Sequence, residues 1–339
     1  MEFILIKNKE IEIATYVEGD GPLIVLVHGW PESWFSWRHQ IPFLTSLGFK
    51  VAAISQRGYG KSSKPHNIDQ YTILKLSSDI EAVIKGLGYK KAILIGHDWG
   101  APIVWTTSII YPESVIAVAG LSVPYWSVGE QSQLDLWKTI YKDKYFYQLY
   151  FLNEGIAEKE LEADMQKTIE LGYFSSDSRG MKFLLENKNN VKYKKNKNSG
   201  FLDNLPKFDS YPDWITKKEI SFYVDEFKAS GMRGPLNRYR AQDIDFKELS
   251  KIGPKKISHP SCFITGDMDP VNFMLSGSGA GAFSIPSNIN IKESFQLLFE
   301  RHYEDMRVLE ILENVGHWTQ EESPDQVNIL LEKFLNSIS

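Results

Sequence analysis

Asp98 stands at the centre of "GHDWG", residues 96 to 100, between the apolar run "AILI" and the stretch "APIVWTTSIIYPE". A strand, then small-x-acid-x-small, then a helix is the context of a nucleophile elbow. The turn is sharp, so its flanks must be small, and the central side chain is pushed out at the carboxyl edge of the sheet, where open α/β sheets bind ligands. The simpler use of such an aspartate is to cap the following helix. An elbow also needs an acid and a histidine, in the chain order nucleophile, acid, histidine. "FITGDMDP" supplies Asp267 and Asp269, and "NVGHWTQEE" supplies His317 after the apolar run "VLEIL". Asp269 is favoured because it lies farther from its strand and precedes Pro270. Two backbone N–H groups must complete an oxyanion hole. One belongs to Trp99, next to the nucleophile; the other lies in "HGWPES" and points to Trp30. Pro31 has no donor and stiffens that bend, and His28 reads as structural.

A carboxylate in place of a serine changes the chemistry. With a free pKa of about 3.9 it is already ionised and needs no base to attack. Attack on an acyl group would give a labile anhydride, whereas attack on a saturated carbon gives an alkyl ester of Asp98. His317, held by Asp269, would then deprotonate a water that cleaves the ester, with Trp30 and Trp99 stabilising the oxyanion. Substrates whose saturated carbon bears a leaving group fit this scheme, namely strained cyclic ethers and alkyl halides. An epoxide oxygen leaves as an alkoxide and needs a proton, so acids should face it. A halide needs only N–H donors.

The elements that must position these residues follow an α/β rhythm. "EFILI" and "IEIATYV" read as an antiparallel pair, and "PLIVLV", without alternation, as a strand buried on both faces. A helical stretch "SWFSWRHQIPFLTSLG" leads to the strand "VAAIS". Ile73, Leu76, Ile80, Val83, Ile84 and Leu87 give one apolar helix face over residues 71 to 87. "AILIG", a helix from 101 to about 110, and "VIAVAGLS" continue the rhythm. From 126 to 244 the apolar residues keep helical spacings only. Strand character returns near 258 with "ISHPSCFITGD", then "RVLEILENVGHW" and a final helix from "SPDQVNILLEKFLNSIS". We expect a mostly parallel eight-stranded sheet with helices on both faces, formed by residues 1–125 and 245–339, and an inserted helical cap at 126–244. "NKNNVKYKKNKNSG", 187 to 200, reads as a solvated loop, and "GSGAGA", 277 to 282, as a flexible one.

"HGWPES", "RGYGKSS", "GHDWG", "YFYQLYF", "RGPLNRYR" and "GHWTQ" occur in this order over nearly the whole chain. Together they resemble the soluble epoxide hydrolase family of the α/β-hydrolase fold. The resemblance implies that two cap tyrosines donate hydrogen bonds to the epoxide oxygen, at the positions of Tyr147 and Tyr239. Tyr150 shares a helix face with Tyr147 and is its rival; only the resemblance separates them. Some relatives of this fold draw the acid from the end of the strand before the cap, but "GLSVPYW" holds no carboxylate. Haloalkane dehalogenases, the alternative reading, share "HDWG", yet many place Asn where this chain has Trp30. A hydrolase-fold receptor for small molecules is a third reading.

The rest of the composition excludes other classes. The 339 residues carry a formal charge of −5, which suits neither nucleic acid nor an anionic membrane as partner. Cys262 is the lone cysteine, so no intrachain disulfide forms, and a cytoplasmic location follows. No signal peptide or membrane-spanning run is read. Sixteen Tyr and nine Trp suggest an aromatic-lined cavity, and the resemblance implies a small apolar epoxide and water as its occupants. No metal or organic cofactor is demanded, and monomer and homodimer both stay open.

Overall fold

The computed structural model describes residues 1–275 and 291–338; "GSGAGA" lies outside the described residues. Eight strands form one sheet in the order β1-β2-β4-β3-β5-β6-β7-β8. They are β1 (Glu2–Asn8), β2 (Ile11–Glu18), β3 (Leu23–Val27), β4 (Lys50–Ile54), β5 (Ala92–His97), β6 (Val115–Leu121), β7 (Ser261–Gly266) and β8 (Met306–Leu312). β1 pairs antiparallel with β2, and β2 with β4. All other pairings are parallel.

Alternation along the central strands divides the core into two faces. Val25 and Val27 of β3 pack with Ile80 and Ile84 of α2 (Ile73–Gly86), Val104 and Trp105 of α3 (Gly100–Ile110), and Phe295 and Phe299 of a helix spanning Ile291–His302. Ile24 and Leu26 face the other way, toward Ile41 and Leu44 of α1 (Gln40–Ser46) and Leu331 and Phe334 of the C-terminal helix. This two-sided burial is why "PLIVLV" shows no polar positions. The stretch expected as one helix after "HGWPES" is instead a 3₁₀ turn, Trp34–Trp37, followed by α1.

Between β6 and β7 the chain is helical: α4 (Gln133–Ile140), α5 (Tyr147–Phe151), α6 (Ile156–Ala163), α7 (Met165–Ser176), α8 (Ser178–Glu186), α9 (Lys217–Ser230), α10 (Arg233–Arg240) and α11 (Gln242–Ile252). After β7 come α12 (Pro270–Leu275), α13 (Ile291–His302), α14 (Thr319–Glu322) and α15 (Pro324–Ser337). The inserted helices bury Phe151, Ile169, Tyr173, Tyr223 and Phe227 in a cluster that also takes in Trp30 and Trp318 from the sheet side. Residues 187 to 200 form a mostly exposed loop with one 3₁₀ turn, with one departure from the solvated reading. Lys195 folds inward over the Tyr145 ring at 4.5 Å and donates to the Phe201 carbonyl. No helix among the described residues is long and apolar enough to cross a membrane.

The turn after β5 explains its small residues. Asp98 adopts a left-handed φ of 48°, which reverses the chain within one residue. A Cβ on Gly96 would stand 2.2 Å from the Gly100 carbonyl oxygen, and one on Gly100 would stand 2.0 Å from that of Val27. Gly100→Ala should therefore destabilise the protein by about 3 kcal/mol or more, as overpacking against rigid backbone does. A urea midpoint equal to that of the parent would show that α3 can shift away from β3 at no cost.

Candidate active site

The elbow lifts Asp98 above the carboxyl edge of the sheet, and three loops converge on it. The loop after β3 brings Trp30, whose backbone N–H donates to Asp98 Oδ1 at 2.8 Å. Trp99 caps α3, so its N–H is one of the first-turn donors that lack a partner within the helix. The loop after β8 brings His317, with Nε2 3.5 Å from Asp98 Oδ2. The loop after β7 brings Asp269, whose Oδ1 lies 3.0 Å from His317 Nδ1. Asp269 is fully buried and also accepts from the Val271 N–H at 2.9 Å. Asp267 does not meet the histidine: its Oδ1 accepts from the Val315 N–H at 3.3 Å. Of the two acids considered, only Asp269 orients His317.

Charge coupling sets the protonation of this group. Burial would raise the Asp98 pKa, but His317, His97 and the Trp30 N–H hold it below the usual carboxylate range. Burial likewise opposes a charge on His317, yet Asp269 and Asp98 outweigh it and keep the imidazole well above its ordinary value. The pair is a carboxylate facing an imidazolium.

Three further residues were not anticipated. Ser122 follows β6 with a left-handed φ of 71°. Its hydroxyl donates to Asp269 Oδ2 at 2.5 Å and lies 2.9 Å from His317 Nδ1. It thus fills the strand-end position at which "GLSVPYW" offers no acid. Glu32 and His97 form a second buried pair beneath the first. His97 Nδ1 lies 2.7 Å from Glu32 Oε1, and Nε2 lies 2.8 Å from the His317 carbonyl oxygen. Both ring nitrogens face acceptors, so both must donate, which only an imidazolium can do. Burial works against that charge, but Glu32 more than offsets it and His97 is raised above its ordinary range. Glu32 is held in turn by the Gly29 N–H at 2.9 Å and Gln320 Nε2 at 3.1 Å. In the sequence this pair shows only as a glutamate in "HGWPES" and a histidine in "GHDWG". His28 is structural as expected: Nε2 accepts from the Gln56 N–H at 3.1 Å, and burial keeps its pKa down.

The inserted helices supply an aromatic wall. Tyr239 is buried, with its ring edge-on to Trp99 at 5.2 Å, to Trp30 at 5.9 Å and to Tyr147 at 5.9 Å. Phe151 and Phe201 close the group, 5.0 and 5.3 Å from Trp30. Burial pushes both tyrosine hydroxyls up, and the charge of Asp98 adds to the effect, so both stay protonated as donors. The Tyr147 oxygen accepts from Gln148 Nε2 at 3.1 Å. Tyr150 lies beside Glu160: burial and its hydrogen bond to that carboxylate push its hydroxyl up. Arg240 ties the two tyrosine-bearing helices together. It donates to the Phe151 carbonyl at 2.9 Å and to both oxygens of Glu158 at 2.6 and 3.0 Å.

A sheet of this order, with an acid on the elbow after β5 and a histidine after β8, defines an α/β-hydrolase. Residues 22–324 match the family described as the alpha/beta hydrolase fold. Among similar chains, epoxide hydrolase A of Mycobacterium tuberculosis is 34% identical over 327 residues, covering 95% of this chain and 92% of that one. The bifunctional epoxide hydrolase 2 of Mus musculus is 36% identical over 94% of this chain, which spans 52% of that longer protein. The solved structure of an epoxide hydrolase from an endophytic Streptomyces superposes with a TM-score of 0.88 at 34% identity, covering 99% of this chain and 96% of the other. Epoxide hydrolase A from Mycobacterium thermoresistibile superposes with a TM-score of 0.84 at 33% identity, covering 99% and 98%. The chain belongs to the epoxide hydrolases of the α/β-hydrolase family.

Proposed function

We propose that this protein hydrolyses small apolar epoxides to vicinal diols through an ester of Asp98. The observation that carries the reading is the division of labour on one carboxylate. Oδ1 rests on the Trp30 amide, while Oδ2 is left to attack, 3.5 Å from His317 Nε2. Oδ2 bonds to a ring carbon as the C–O bond of the epoxide breaks, and the oxygen takes a proton from Tyr147 or Tyr239. A water then gives its proton to His317 and adds to the Asp98 carboxyl carbon, and Oδ1 carries the oxyanion at the Trp30 and Trp99 amides. His317 returns that proton to Oδ2 as its bond to the carboxyl carbon breaks, which releases the diol with the enzyme's oxygen, and the regenerated Asp98 carboxyl gives its proton back to the tyrosinate.

The same charge pair times the two steps. Before attack, the Asp98 charge helps to hold His317 protonated. Ester formation removes that charge, so His317 loses part of its elevation and becomes a base when a base is needed. Asp98, Asp269 and His317 serve as a catalytic triad in this scheme, and residues 126–244 as the cap that brings in the two phenols. Two phenols beside Asp98 also favour an alkoxide leaving group over a halide, which needs no proton. Cysteine usage supports a cytoplasmic location.

A single turnover in ¹⁸O-water should give diol carrying unlabelled oxygen from Asp98, and His317→Gln should trap the adduct as a mass increase on the Asp98 peptide. Labelled oxygen in the first diol would mean direct attack by water. Tyr147→Phe or Tyr239→Phe should slow ring opening by about 10²-fold, the lower range for a general acid, and the double change by more; a double variant at full rate would remove both residues from the mechanism.

Acidification separates the steps. Asp98 is depressed below the usual carboxylate range, so ester formation persists as pH falls from about 8 to about 5, while His317 in the ester becomes protonated and hydrolysis slows. Rapid-quench mass spectrometry should therefore find more ester at the lower pH. Equal ester at both would show that His317 is not the base.

A further inference from the structure

The loop carrying His317 is built against the inserted helices, not only against the sheet. The His317 N–H donates to the Ser176 carbonyl at 2.9 Å, at the end of α7. The Trp318 indole N–H donates to the Tyr173 carbonyl at 2.8 Å, and the two rings stack at 4.2 Å and 11°. A Cβ on Gly316 would stand 2.3 Å from the Ser178 nitrogen, so the loop backbone lies directly on the junction of α7 and α8. One side chain ties these contacts together. Glu322 Oε2 accepts from the Ser178 N–H at 2.9 Å and from the Gly316 N–H at 3.0 Å, and Oε1 accepts from the Trp318 N–H at 3.1 Å.

We propose that Glu322 is a positioning residue that locks the His317 loop to the α7–α8 junction, so that ester hydrolysis depends on how the inserted helices sit on the sheet. A carboxylate that only capped α14 would need the Trp318 and Gly316 amides, both local. The bond from Ser178 comes from the far side of the interface, 144 residues away in the chain, and capping does not account for it. His317 stands between two of the amides that Glu322 holds. Its own backbone N–H is bound to the helix that Ser178 follows, so a shift of α8 is transmitted to the imidazole. Asp98, by contrast, sits on an elbow built from β3, β5 and α3, which Glu322 does not touch. The two steps should therefore respond differently. This rests on the two-step reading given above.

The test is a pre-steady-state comparison with styrene oxide, resolving formation and decay of the Asp98 ester by rapid quench and mass spectrometry. Glu322→Gln keeps the shape but turns one acceptor into an amide that faces N–H donors. Ser178→Pro deletes the donors that Ser178 offers from across the interface, at a first-turn helix position that accepts proline. Both should leave ester formation within about twofold of the parent and slow ester decay by about tenfold or more, so that ester accumulates. Ester formation at the parent rate itself reports an intact fold. Unchanged decay in both variants, or equal slowing of both steps as from a general loss of structure, would overturn the proposal. A parent enzyme that forms no ester at all would overturn both this inference and the reading of the site.

Discussion

The attraction between the Asp98 carboxylate and the His317 imidazolium is the interaction on which the rest of the site depends. At a few ångströms and an effective dielectric near 20, such a pair is worth about 4 kcal/mol. Together with Asp269 on the imidazole, and His97 and the Trp30 N–H on the acid, it keeps both groups charged although their side chains are only 13% and 8% exposed. In the proposed scheme the reaction itself switches this interaction off, because an esterified carboxylate carries no charge. A serine at position 98 would have no charge to lose, and the histidine would have to work as a base from the start.

Holding a cation and an anion close in a dry site requires support on every side. Asp269 and Ser122 hold the outer nitrogen of His317, and the His317 carbonyl rests on His97, itself balanced by Glu32. Positive and negative groups alternate from Glu32 through His97, Asp98 and His317 to Asp269, so each of these charges has an opposite one beside it. The wall of the site is different in kind. Trp30, Phe151, Phe201 and Tyr239 offer edges and faces, with hydroxyl donors only at Tyr147 and Tyr239. Such a wall suits a small apolar molecule with one polar oxygen.

Much of this was legible before any coordinates. The uninterrupted apolar runs of β3 and β5, the Ile73–Ile84 helix face and the "GHDWG" turn each state a local rule, and each rule was obeyed. The antiparallel start of the chain, the parallel sheet and the helical insertion followed from period alone. Where local rules compete, reading from sequence stopped short. Trp34 to Ser46 reads as one helical stretch, but the chain breaks into a 3₁₀ turn and a short helix. Lys195 lies in a run of charged and amide residues and points inward because its ammonium lies over the Tyr145 and Phe201 rings and donates to the backbone carbonyls of Gly200 and Phe201.

The sequence by itself determined the order and kind of the elements, the turn that presents Asp98, and the presence of an acid and a histidine at the ends of later strands. These are encoded over a few neighbouring residues, where apolar period, glycine and turn chemistry act. Only the tertiary structure decided that Asp269 and not Asp267 meets His317, that Tyr150 bonds to Glu160, and that Glu32 and His97 pair beneath the nucleophile. It also brought Glu322 and Ser178, far apart in the chain, into one hydrogen bond. Each of these depends on which distant segments share a few ångströms, and that is fixed by packing of the whole sheet and insertion, not by any local pattern.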